Sequence, residues 1–129
     1  MAIAFLLGRI IFGVYWLLNA WNHLRNQEAM SAYARSKNVP MPRVSVIVTG
    51  LMLLVGGITM LFGFWTNLGI VLLSIFLLGV SYKMHNYWAL EDTMERMTQR
   101  IQFRKNMALF GALLMMLALP LPWMYSLHF

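Results

Sequence analysis

The chain has 129 residues, of which 60% are hydrophobic and only 11% are charged, a composition that is typical of membrane proteins and argues against a soluble globular domain. Its formal net charge of +6 comes from basic residues that flank apolar segments, so we expect anionic lipid headgroups as a partner and no nucleic acid. Cysteine is absent, which excludes disulfides, iron–sulfur clusters and thiolate metal sites.

Four apolar stretches are each long enough to cross a bilayer, which takes about 20 residues of helix. These predicted spans, one to four, cover residues 2–22, 44–64, 68–87 and 106–125. The second and third lie in one run, residues 44–82, that has no charged side chain and is interrupted only by the turn-like sequence at 63–67. The first begins at Met1 without a small-residue cleavage site, so we expect a retained helix rather than a signal peptide. The sequence predicts one domain over residues 1–129, an all-α integral membrane protein folded as an antiparallel four-helix bundle.

The distribution of basic residues predicts the orientation of these spans. Nine of the ten Lys and Arg residues lie on one face of the predicted bundle: eight in the two segments that follow spans one and three, and Lys83 near the end of span three. Because positively charged loops stay in the cytoplasm, we expect both charged loops inside and both chain termini outside.

Both charged loops carry patterns of their own. In the second loop, apolar residues recur at helical spacing: Leu90, Met94, Met97 and Ile101. This spacing predicts an amphipathic helix over residues 88–104, which would lie along the cytoplasmic membrane interface or cap the end of the bundle. In the first loop we expect a short helix over residues 28–36, stopped by Pro40 and Pro42.

Polar residues at the cytoplasmic ends of the spans are candidates for function, because polar groups in a membrane are costly. The residues expected to converge at this level are Asn19, His23, His85, Lys105 and Asn106. One interpretation is a pocket for a quinone or a lipid headgroup, in which a His donates to a carbonyl and can pass a proton near neutral pH. The other is that these groups cap helix ends and meet interfacial water.

Arg9 lies inside span one, about 9 Å from its outer end at 1.5 Å per residue. It could extend to the outer interface, pair with a buried acceptor, or hold an anionic or carbonyl ligand as an outer polar site. No Asp or Glu occurs in any predicted span, which argues against a pump built on buried carboxylates. His23 and His85 lie at the interface without further ligands, so we expect no haem, no metal site and no covalent cofactor.

Several short motifs follow one another in a specific order. They are Gly8-Arg9-Ile10, Trp21-Asn22-His23-Leu24, Met30-Ser31-Ala32-Tyr33-Ala34, Gly56-Gly57, His85-Asn86-Tyr87-Trp88 and Arg104-Lys105-Asn106. Together they resemble the DoxX family of small four-helix membrane proteins. The resemblance implies a multi-pass protein of the bacterial inner membrane, with periplasmic termini if the charge pattern holds. It also implies a link to quinone-coupled oxidation, since the family includes a subunit of a thiosulfate:quinone oxidoreductase.

The chain departs from the family pattern at two positions. Leu53 stands where many members carry Glu, and Asn67 stands where many carry a basic residue. The missing acid argues against a redox centre in this chain, and no self-contained catalytic constellation is present. We therefore favour an accessory subunit of a quinone-linked redox system, with quinone as its possible ligand. A non-catalytic scaffold that binds other membrane subunits or a second copy is the alternative. A small transporter ranks last, because the chain lacks broken-helix repeats and a coupling carboxylate.

Overall fold

The computed structural model describes residues 1–127; the last two residues of the predicted domain, 128 and 129, lie outside the described part. The described chain forms five α-helices and one short 3₁₀ turn at Tyr87–Ala89. The helices are α1 (Ala2–Arg25), α2 (Gln27–Ser36), α3 (Pro42–Phe62), α4 (Thr66–Met84) and α5 (Thr93–Met116). Residues 1–127 contain no β-strand, so the prediction of an all-α protein is confirmed.

Three helical stretches in the described chain are long and apolar enough to cross a membrane: Ala2–Arg25, Pro42–Phe62 and Thr66–Ala89. They correspond to the first three predicted spans. α5 is not among them, because Arg100, Arg104 and Lys105 lie within its length.

The predicted break before span four is wrong. The amphipathic helix predicted over 88–104 and the first half of the span predicted over 106–125 form one continuous helix, α5. α5 begins after Asp92, whose side chain accepts a hydrogen bond of 2.9 Å from the backbone N–H of Glu95. The Arg-Lys-Asn sequence at 104–106 is the point where the helix changes from mostly polar to mostly apolar residues. It contains no helix-breaking residue, so the helical backbone continues through it.

The end of predicted span four is also wrong. α5 stops at Met116, and residues 117–127 form turns instead of helix. Pro120 and Pro122 lie in this segment, and each removes a backbone donor that a helix would need.

α1 and α3 run antiparallel and approach each other at glycines. A Cβ atom on Gly13 would lie 2.9 Å from the Cα atom of Leu61. A Cβ atom on Gly57 would lie 2.8 Å from the Cδ2 atom of Leu17. Such contacts are typical of membrane helices, where small residues let two backbones come close.

α3 and α4 form the predicted hairpin, joined by the predicted turn at 63–67. Gly63 has φ of +77°, a left-handed conformation that ends α3 at no steric cost. Near the turn the two helices are in contact, since a Cβ atom on Gly56 would overlap the side chain of Leu73. We call this end of the molecule the turn end, and the opposite end, marked by Arg25, Arg43 and Lys83, the charged end.

One hydrophobic core joins the four long helices and the C-terminal segment. Its buried side chains are Trp16, Ala20, Leu53, Met60, Ile70, Leu73, Leu77, Leu113 and Trp123. Leu53, one of the two departures from the family pattern expected from the resemblance, is 0% exposed and faces the protein interior. In this chain that position contributes to packing.

Candidate functional site

A cavity of about 430 Å³ lies at the charged end, bounded by α1, α2, α3 and α4. Its walls are mostly apolar, with a few polar groups among them, and its size is in the range of small-molecule sites. α2, which confirms the short helix predicted over 28–36, supplies one wall through Met30, Tyr33 and Ala34. Of these, Ala34 is buried against the rest of the protein, so α2 is packed onto the cavity.

His23 is the buried polar group of this cavity. It lies in the last turn of α1 and is 9% exposed. α3 leaves room for it at Gly50, where a Cβ atom would lie 2.9 Å from the Cβ atom of His23. The edge of the imidazole meets the Phe76 ring of α4, with centroids 5.7 Å apart. Contacts with α3 and α4 therefore fix the ring at the cavity wall.

The Nδ1 atom of His23 has two neighbours on α3. It lies 3.3 Å from the carbonyl oxygen of Val46 and 3.1 Å from the Oγ1 atom of Thr49. The described residues give the other ring nitrogen, Nε2, no hydrogen-bond partner. Nε2 is therefore the nitrogen that is left for a ligand.

Two hydrogen-bond patterns satisfy this geometry. In the first, Nδ1–H of His23 donates to the Val46 carbonyl, and Thr49 donates to the carbonyl of Ser45 at 2.7 Å. Nε2 of a neutral imidazole is then an acceptor. In the second, the hydroxyl of Thr49 donates to Nδ1, and Nε2 carries the proton and becomes a donor. The pair can offer a ligand either a donor or an acceptor from the same atom.

The predicted polar cluster does not assemble around one cavity. Of its five members, His23 is the one that lines the cavity. Asn19 donates to the carbonyl of Tyr15 in its own helix, at 2.8 Å. Lys105 is exposed, and it donates at 2.9 Å to the side chain of Gln102, one turn earlier in α5.

The other two members of that cluster lie on separate elements. His85 follows α4, and its Nδ1 atom is 2.6 Å from the Oε1 atom of Gln99 on α5. The amide of Gln99 donates in turn to the hydroxyl of Tyr33 on α2, at 3.4 Å. His85 therefore links α5 to the rim of the cavity without lining it. Asn106 is buried in the middle of α5.

Of the residues that line the cavity, His23 was predicted from the sequence as a site residue and the others were not, among them Tyr33, Thr49, Gly79 and Lys83. Thr49 is a weak signal in an otherwise apolar span, four residues after Ser45 on the same helix face. Gly79 has no signal of its own, because its role depends on the empty space beside it.

Arg9 lies at the turn end and donates hydrogen bonds to the backbone of the C-terminal segment. It is 7% exposed, and its two terminal nitrogens donate to the backbone carbonyls of Met124, at 2.6 Å, and Tyr125, at 2.7 Å. Trp123 is buried beside it, with its ring 5.6 Å from that of Phe5. Arg9 thus holds the C-terminal segment onto α1.

A profile of the DoxX family matches residues 4–86, which is more than half of the chain. No curated protein and no solved structure gives a match. The matched region contains α1 to α4 and every residue that lines the cavity, whereas α5 lies beyond it. The chain therefore belongs to the DoxX family of membrane proteins.

Proposed function

We propose that this protein is an accessory subunit of a quinone-linked membrane redox system and binds a quinone headgroup in the cavity at the charged end. It holds no redox centre of its own in this proposal. The observation that carries the proposal is the hydrogen-bonded pair of His23 and Thr49 in the wall of a mostly apolar cavity.

This pair suits both oxidation states of a quinone. The oxidised ring presents carbonyl oxygens, which only accept hydrogen bonds, and the reduced ring presents hydroxyls, which donate them. A site for both forms needs a group that can be a donor or an acceptor, and the two hydrogen-bond patterns of His23 provide one. The apolar walls would hold the ring away from water.

We further propose that the protein crosses the bacterial inner membrane four times. α1, α3 and α4 are three of the crossings, and the apolar half of α5 with the segment up to residue 125 is the fourth. The basic residues of the charged end support a cytoplasmic location for that end, with both chain termini in the periplasm.

The direct test is the quinone content of the gently solubilised protein. Wild-type protein should retain quinone, and His23→Phe should lose it, because Phe keeps a similar ring size and removes both ring nitrogens. His85→Phe is the matched control; it should retain quinone, since His85 does not line the cavity. Wild-type protein that holds no quinone, even after quinone is added back, would refute the proposal.

A second candidate function, a scaffold for another membrane subunit or a second copy, is favoured by the first half of α5. Three apolar side chains on it are exposed: Met94, Met97 and Ile101. A stretch of helix with this exposed strip is available to a partner chain at the charged end. Replacing Met94 and Met97 by Asp should then remove a chain that copurifies with the wild type, and an unchanged set of copurifying chains would count against this function.

A further inference from the structure

We infer, as a consequence that rests on the proposed function, that the ligand of this cavity is an amphiphile with a neutral carbonyl-bearing ring as its head and an apolar tail. It enters sideways from the lipid phase between α3 and α4. Its head lies toward the charged end and its tail toward the middle of the membrane.

The cavity changes in polarity along its length. Tyr33 and Lys83 line its end nearest the charged end. Met52 and Ile75 line the opposite end, and His23, whose ring contacts that of Phe76, lies between the two ends. Ile75 and Lys83 are eight residues apart on α4, a distance of about 12 Å at 1.5 Å per residue. A polar end and an apolar end at this separation match the head of an amphiphile and the start of its tail.

The contacts between α3 and α4 explain why the cavity opens sideways. Near the turn end the two helices leave no space, because Gly56 meets Leu73 and Gly69 meets Thr59. In the other half of the same pair of helices the cavity lies between them. The two helices therefore separate toward the charged end.

One face of α4 borders this opening. Ile75, Gly79 and Lys83 recur every four residues, all three line the cavity, and all three are exposed. Ile75 is 55% exposed, in the middle of a helix that is long and apolar enough to span a membrane. A tail that leaves the cavity beside Ile75 enters lipid, not water.

The charges of the lining favour a neutral head. Among the described residues that line the cavity, Lys83 is the one lysine, and none is an arginine, an aspartate or a glutamate. Phosphate heads are commonly held by arginine pairs or by clusters of basic residues. A ring carbonyl needs only the hydrogen bonds that His23 and Lys83 can donate.

The orientation can be tested with a quinone that carries a photoreactive group at the tip of a short alkyl tail, bound to the full chain in lipid nanodiscs. Crosslinks should fall on the peptides that contain Met52 or Ile75. Crosslinks on Tyr33 or Lys83 would overturn the orientation while leaving quinone binding, and thus the proposed function, intact. Absence of any saturable crosslinking, with unlabelled quinone as competitor, would mean that the proposed function itself fails. Displacement of the probe by phosphatidylglycerol at equal mole fraction would overturn the neutral head.

A separate variant tests whether the ligand enters sideways from the lipid. Ile75 lies at the opening and its side chain is largely exposed. Ile75→Trp therefore enlarges this side chain without disturbing the packing of the core, and the fold should be kept. It should slow the build-up of crosslinks at least tenfold after the probe is added. Leu78→Trp is the control, since Leu78 is 38% exposed on the same helix but does not line the cavity. An unchanged rate in Ile75→Trp would overturn sideways access.

Discussion

The Oγ1 atom of Thr49 on α3 lies 3.1 Å from the Nδ1 atom of His23 at the end of α1. The same oxygen lies 2.7 Å from the carbonyl of Ser45. The hydroxyl has one proton for these two acceptors and for a third, the carbonyl of Val46 at 3.1 Å. If the hydroxyl donates to Nδ1, the free nitrogen of His23 donates a hydrogen bond; if it donates to a carbonyl, that nitrogen accepts one.

Thr49→Val should separate the two oxidation states of the ligand. Without the hydroxyl, Nδ1 of His23 can only donate to the α3 backbone, so Nε2 of the neutral ring is fixed as an acceptor. We expect the affinity for an oxidised quinone to fall about tenfold, the effect of one lost hydrogen bond. The affinity for the reduced form should change little. Equilibrium binding of both forms to the purified variant would measure this.

Ser45→Ala is the control for that variant. Ser45 also lines the cavity, but its hydroxyl donates to the carbonyl of Pro40, and its own carbonyl remains available to Thr49. It should bind both forms as the wild type does. Equal losses for the two forms in Thr49→Val would show that the hydroxyl does not select the role of His23.

Arg9→Met should loosen the C-terminal segment. The change removes a buried guanidinium and leaves the partly buried carbonyls of Met124 and Tyr125 without their charged donor. We expect the free energy of unfolding to fall by about 2 kcal/mol, and the segment after residue 116 to become sensitive to protease. Arg25→Met is the control, because Arg25 is exposed and lies over the Trp21 ring. Similar behaviour of the two variants in chemical unfolding and proteolysis would argue against the role of Arg9.

Glycine substitutions should report the contact between α1 and α3. Gly13→Ala places a methyl group against the backbone of Leu61, so we expect a loss of about 1–3 kcal/mol in stability. Gly8→Ala on the same helix meets nothing within 4 Å, so the better helix propensity of Ala should leave stability equal or higher. Thermal unfolding in one detergent compares the two. A Gly13→Ala protein as stable as Gly8→Ala would contradict the close approach.

The orientation of the protein in the membrane is a prediction that rests on the distribution of basic residues alone. A reporter enzyme fused after Phe129 should be active in the periplasm, because all Lys and Arg residues except Arg9 lie in the charged loops or, for Lys83, in the turn of helix beside one. Reporter activity in the cytoplasm would show that the predicted orientation is wrong, and it would leave the bounds of the helices unchanged.

The helices were predictable because their signals are local. The uncharged run at 44–82 and the turn residues within it are enough to place α3 and α4. The level of His23 along α1 also followed from its position near the end of the apolar stretch. The continuity of α5 was missed because a change from charged to apolar residues was interpreted as a change of element.

The composition of the cavity was not predictable for a different reason. Residues at one level of a bundle meet only if their helices are rotated to face each other. That rotation is set by distant contacts such as Gly13 with Leu61. His85 and His23 illustrate this, since they were expected together and they bind different helices. The partners of Arg9 are backbone carbonyls, which have no signature in a sequence.

The central claim is that the cavity beside His23 holds the quinone headgroup, and filling the cavity tests it most directly. A Cβ atom on Gly79 meets nothing within 4 Å, so Gly79→Leu should extend into the cavity without disturbing the backbone. Gly111→Leu is the matched control, a helical glycine with equally open space that does not line the cavity. Titration of each protein with a short-tailed quinone in nanodiscs should show affinity at least about tenfold weaker for Gly79→Leu and unchanged for Gly111→Leu. Wild-type affinity in Gly79→Leu would contradict the account.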